Sequence, residues 1–108
     1  MPASWMSGPV TVTSGQPVTG WQRVTPGAGR DLTAYLQCDS GDLAHMIVEG
    51  AHVVTNGVAE ASEVIYAGAD LPCAVGAIIS LKLSGNKYAY LRISASSDSS
   101  SSVYAGFA

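Results

Sequence analysis

The sequence predicts an all-β fold. It reads as an antiparallel β-sandwich, jelly-roll-like, of about eight short strands with an extended N-terminal arm. Three observations predict it. Apolar and polar residues alternate with period two through much of the chain. Turn-forming residues recur at roughly 8 to 14 residue intervals, the rhythm of a sandwich or barrel. No stretch sustains the 3.6-residue period of an amphipathic helix. Strands buried on one face need a second sheet to cover that face, so two packed antiparallel sheets are the natural arrangement.

Residues 1–17 hold three of the five prolines, with Gly8 and Gly15 between them, and so read as an arm rather than core. One short strand is expected in it, from Val10 to Thr13. Trp5 and Met6 are large apolar residues in a segment too thin to bury them. Residues 1–9 are therefore expected to leave the body and dock on a neighbouring molecule, the alternative being that Trp5 folds back and caps its own sandwich. The sandwich domain is expected over 18–108. In VTGWQRVT, Trp21 shares a face with Thr19, Arg23 and Thr25, against Val18 and Val24. PGAGRD is a loop. In LTAYLQC, Leu32, Ala34, Leu36 and Cys38 align against Thr33, Tyr35 and Gln37. After DSGD, Ala44, Met46 and Val48 oppose His45, Ile47 and Glu49. Asn56-Gly57 is a hairpin turn pair. Glu60 to Tyr66 ends as a strand, because Val64, Ile65 and Tyr66 favour extended backbone.

Farther on, Ile79, Leu81 and Leu83 face away from Ile78, Ser80 and Lys82, and Ala89, Leu91, Ile93 and Ala95 alternate with Tyr88, Tyr90, Arg92 and Ser94. SGNK lies between these runs. The expectation is a hairpin at the heart of one sheet, with Leu81, Leu83, Leu91 and Ile93 in the core. SSDSSSS is a polar loop, and Val103, Ala105 and Phe107 line one side of a last strand.

A chain of 108 residues with 47% hydrophobic residues can build one core without metal or disulfide staples. Only 12% of its residues are charged, against about 25% in a typical soluble protein. Few charges leave little to oppose association, which favours a surface partly covered by copies of itself or by a partner. The net charge is −3 and the five Lys and Arg are scattered, so nothing tracks a phosphate backbone and nucleic acid is not an expected partner. No apolar run approaches the ~20 residues of a helical membrane span. MPASWMSGPV lacks the basic and apolar segments of a secretory signal, so synthesis and retention in a cytoplasm are expected. In that setting Cys38 and Cys73 are read as two separate small buried residues, with one bridge as the alternative.

CDSGD, residues 38–42, is the one stretch that raises a catalytic question. Asp-Ser-Gly is similar to the nucleophile loop of chymotrypsin-like proteases. Asp42, however, stands where a second glycine belongs, only His45 or His52 is available as a base, and the chain is too short for a double barrel. Asp, Ser and Gly are also turn formers, so CDSGD reads as a turn between two strands. Calcium would draw on Asp39 and Asp42, with Glu49 or Asp70, but two local carboxylates fall short of six to eight oxygens. Zinc would need Cys38, Cys73, His45 and His52 to converge without any ligand spacing to support it. No cofactor is expected.

The aromatics carry the remaining signal. Trp21, Tyr35, Tyr88 and Tyr90 fall opposite the aliphatic residues of their strands, near Arg23, Gln37 and Arg92. Trp5, Met6, Trp21, Tyr35, Tyr88, Tyr90 and Arg92 are read as interface anchors. The alternative is a platform that stacks sugar rings, which leaves a glycan possible.

In size, strand rhythm and Ala/Gly/Ser/Thr richness the whole chain resembles the small all-β virion accessory proteins that decorate or cement tailed-phage capsids. The resemblance carries over no site residue. It implies a structural protein made in the host cytoplasm and held on the virion surface. It also implies a homo-oligomer, with a trimer favoured, bound to the major capsid protein. The residues agree in outline, since they offer an apolar anchor, a charge-poor body and no catalytic constellation. The expectation is therefore a non-enzymatic structural protein, and the alternative is a carbohydrate- or receptor-binding β-sandwich module.

Overall fold

Period-two burial is what builds this molecule, and it is visible residue by residue in a computed structural model that describes residues 6–24, 32–41, 43–68, 71–72, 77–83, 87–97 and 100–108. Twelve strands run through them. They are β1 (Ser7–Val12), β2 (Gln16–Pro17), β3 (Gln22–Arg23), β4 (Leu32–Ser40), β5 (Leu43–Ala51), β6 (Val54–Thr55), β7 (Val58–Ala59), β8 (Ser62–Ala67), β9 (Leu71–Pro72), β10 (Ile78–Leu83), β11 (Tyr90–Ser97) and β12 (Ser101–Phe107). No helix occurs among the described residues.

The first sheet has the order β1-β12-β4-β10, and the second β2-β11-β5-β8, with β3 also on β11 and β9 also on β5. Every pairing is antiparallel. β2 and β3 are two pieces of one strand position, since both lie along β11. β6 and β7 form a small hairpin of their own, and β9 is a two-residue addition. Eight strand positions then remain, and in chain order they read 1-8-3-6 in one sheet and 2-7-4-5 in the other. This is the double Greek-key winding of a jelly roll. The expected fold class is the one observed.

Between the sheets, β4 contributes Ala34, Leu36 and Cys38, β12 Val103 and Ala105, and β1 Val12. From the second sheet come Ala44, Met46 and Val48 of β5 and Leu91, Ile93 and Ala95 of β11. All of these are at most 1% exposed. Mixing alanines with larger aliphatics lets facing layers interdigitate. Each buried Leu, Ile, Val or Met contributes about 1.5–3 kcal/mol relative to exposure.

Three expectations change. The strands on either side of SGNK, whose residues 84–86 lie outside the described residues, do not pair with each other. β10 pairs with β4 in the first sheet, and β11 pairs with β5 in the second, so the chain crosses the sandwich between them. β10 is an edge strand, which leaves Leu81 and Leu83 only half-buried against the core while Leu91 and Ile93 are fully buried. Next, residues 7–17 are built into the sandwich: β1 is hydrogen-bonded along β12, β2 along β11, and Val12 is fully buried. Residues 7–9, expected to leave the body, belong to an edge strand whose Pro9 and local bulge blunt it against further pairing. Lastly, Thr19 does not share the outer face with Trp21. The Val18 and Thr19 N–H groups both donate to the Ile93 carbonyl, at 2.9 and 3.1 Å, and the Thr19 hydroxyl accepts the Ile93 N–H at 3.0 Å. The side chain is thus 3% exposed, because it completes the ladder where the strand breaks between β2 and β3.

Truncation separates the core strand from the edge strand. Leu91→Ala should cost about 2–5 kcal/mol in denaturant unfolding, the range for fully buried leucine. Leu83→Ala, on the edge, should cost clearly less.

Candidate functional site

The outer face of the second sheet carries its most connected polar cluster. Arg92 projects from β11 directly across from Glu49 of β5. Its Nε donates to Glu49 Oε1 at 3.3 Å, and its Nη2 donates to Oε1 at 3.1 Å and Oε2 at 3.0 Å. The Ser94 hydroxyl donates to the same Oε1 at 2.8 Å. The guanidinium Cζ lies over the Trp21 indole, 4.5 Å from its centroid. Arginine alone serves both contacts, because its planar fork binds a carboxylate edge-on while its face stacks on a ring. Two residues along the same strands, Arg23 of β3 pairs with Tyr90 and holds its guanidinium 5.9 Å from that ring.

The β6–β7 hairpin faces this cluster. Asn56 and Gly57 adopt positive φ, 52° and 78°, as the tight hairpin turn requires. Trp21 and Arg92, with Ser62 of β8 and Gly57, Val58 and Ala59 of the hairpin, line a solvent-open pocket of about 230 Å³.

A second cluster closes one end of the sandwich. Tyr88 is not on the outer face with Tyr90. Gly50 lies on the inner side of β5, opposite Leu91, and the Tyr88 ring occupies the place of its missing side chain. A Cβ there would sit 2.5 Å from the ring. The ring stacks on His52 at 5.0 Å and its hydroxyl donates to Glu63 Oε2 at 2.9 Å. The hydrogen bond to Glu63, partial burial and the Glu63 charge together raise the Tyr88 pKa above 10.0.

Within CDSGD, Cys38 to Ser40 end β4 of the first sheet and Gly41 follows them, ahead of β5 in the second. Gly41 has φ 123°, and a Cβ on it would fall 2.5 Å from Ser101 Cα. Ser40 ends β4 in register with Ser102, whereas His45 faces outward from the second sheet in register with Ser96. Cys38 is buried in the core. Asp42, Asp70 and Cys73 lie outside the described residues, among which no three His, Cys, Asp or Glu side chains group as metal ligands would.

The outer face of the first sheet is different in kind. Ile78, Gln37 and Tyr104 align across β10, β4 and β12, and Ser80, Tyr35 and Gly106 form the next row. Neither row contains a charge.

The expected anchors therefore split into separate places. Trp21, Tyr90 and Arg92 lie on the outer face of the second sheet, Tyr35 on that of the first, and Tyr88 at the sandwich end. Met6 is half-buried just ahead of β1, and Trp5 lies outside the described residues. Sequence reading missed Glu49 as the partner of Arg92, Ser62, the Glu63–Tyr88 pair and Tyr104. The only advance signal was the outward parity of Glu49 in its strand. Comparison with protein-family models, with curated proteins and with solved structures finds no match to this chain.

Two outcomes follow. Ser40→Ala should leave stability within about 0.5 kcal/mol, whereas Gly41→Val should lose about 1–3 kcal/mol from backbone strain alone, with the clash at Ser101 added, both read by denaturant unfolding. In the difference ultraviolet titration between the wild-type chain and Tyr88→Phe, Tyr88 should ionise above pH 10.0, and Glu63→Gln should bring it down. Because the folded pKa is raised, this contribution to stability is complete below pH 10.0 and is lost as pH rises through the folded value.

Proposed function

We propose that the chain is a non-enzymatic structural protein that associates with itself and with the surface of a larger protein shell, in the manner of the capsid-decorating proteins it resembles. The observation that carries this reading is the outer face of the first sheet. Its two central rows present Ile78, Gln37 and Tyr104, then Ser80, Tyr35 and Gly106, without a charge. Ile78 is 57% exposed in the isolated chain. Depletion of charge with enrichment of tyrosine is the composition of the centre of a protein interface. A β face without charges in its central rows costs little to desolvate, and its strands are already ordered by the core, so little entropy is lost on docking. In this reading the partners are copies of the chain, with a trimer favoured, and the major capsid protein.

Ile78→Glu tests it. The residue is exposed, so folding stability should change by no more than about 0.5 kcal/mol. A carboxylate placed at the β10 edge of the proposed contact should dissociate the oligomer by native mass measurement and abolish co-sedimentation with capsid particles. A wild-type chain that is monomeric at all accessible concentrations, and does not sediment with particles, overturns the reading.

A further inference from the structure

We propose that the pocket between Trp21, Arg92, Ser62 and the β6–β7 hairpin is a binding site for one neutral pyranose ring. The site is on the opposite sheet from the proposed docking face and does not depend on it.

Its size sets the first limit. At about 230 Å³ it is smaller than the roughly 300–1,000 Å³ of pockets for drug-sized ligands, so it takes one ring. Charge sets the second. Arg92 is the one ionised residue of the lining, and Glu49 offsets it at 3.0 Å. An anion gains little from a guanidinium already paired with a carboxylate, so the suitable ligand is uncharged.

Chemistry sets the third. Arg92 covers one face of Trp21, so Val58 and Ala59 supply most of the apolar wall, and Val58 is 68% exposed. Beside them are groups with hydrogen bonds to give. Arg92 uses Nε and Nη2 on Glu49, leaving Nη1 without a partner among the described residues. Trp21 Nε1 and the Ser62 hydroxyl likewise have none there. A pyranose matches this combination, with C–H bonds for an aromatic or aliphatic wall and hydroxyls that accept from Arg92 and Trp21 and exchange with Ser62. The polar groups are held in advance: stacking on Trp21 and the fork on Glu49 fix the guanidinium, so little is lost in ordering it around a ligand.

The test is a heteronuclear NMR titration of the full chain with methyl α-D-glucopyranoside, methyl β-D-galactopyranoside and N-acetyl-D-glucosamine in turn, and with sorbitol as an acyclic control. At least one pyranose should produce saturating shifts at the Trp21 Nε1–H, the Arg92 Nε–H and the amides of residues 57–59 and 62, and sorbitol should not. Trp21→Ala should weaken binding at least about tenfold, equal to about 1.4 kcal/mol. Because Trp21→Ala also removes the support of Arg92, Ser62→Tyr provides a second arm. It fills the pocket from an exposed position and should abolish the shifts while the remaining spectrum is preserved. The proposal is overturned if no pyranose saturates, if sorbitol acts equally, or if Ser62→Tyr binds with wild-type affinity.

Discussion

The backbone of Ile93 is the point on which the second sheet and the candidate site both depend. Its carbonyl receives two N–H groups, from Val18 and Thr19, and its own N–H is taken by the Thr19 hydroxyl. A buried strand cannot leave those groups unmet without a cost of about 1–3 kcal/mol each. The adjoining strand position is broken here into β2 and β3, and the threonine side chain stands in for the missing ladder bond. Such irregularities bend the strand and re-aim the residues that follow. Two residues on, Trp21 stands over Arg92 on the outer face. One local interruption thus seals the core at Ile93 and delivers the indole to the surface cluster.

The two outer faces then divide the polar residues unequally. On the second sheet, Arg92, Glu49 and Ser94 satisfy one another across β5 and β11, so the cluster stays fixed even though Arg92 and Glu49 keep 25% and 15% of their side-chain surface exposed. The two central rows of the first sheet are uncharged. One face is suited to hold a small polar ligand in fixed geometry, the other to meet a second protein surface. The same winding produces both, because each strand keeps its apolar residues inward and leaves the outward positions free to differ.

Most of the faces were legible in the sequence. Alternation alone placed Ala34, Leu36 and Cys38, then Ala44, Met46 and Val48, then Leu91, Ile93 and Ala95, and the structure buries all nine. The Asn56-Gly57 turn was legible because few other pairs tolerate two positive φ values. Partnership was not legible. β10 and β11 show the same alternation whether they pair with each other or face each other across a core, so periodicity could not tell a hairpin from a crossing. The prolines and glycines that made residues 7–17 look like an arm are also what an edge strand carries. Tyr88 was misplaced because it precedes β11, where strand parity does not yet apply and the gap above Gly50 decides. Arg92 and Glu49 are 43 residues apart, so only pairing of β5 with β11 could reveal their contact.

The winding order has a consequence for how the molecule is made. Of the six neighbouring pairs along the two sheet orders, only β5 with β8 joins strand positions that are consecutive in the chain. β12 lies between β1 and β4, so the first sheet cannot close until residues 101–107 have left the ribosome. Until then the inner side of β4, with Leu36, has no β12 beside it and β1 has no partner in its sheet. Non-local pairing of this kind folds in about milliseconds to seconds rather than microseconds. Throughout that interval the growing chain displays open strand edges, which its own β12 must reach before another nascent copy does.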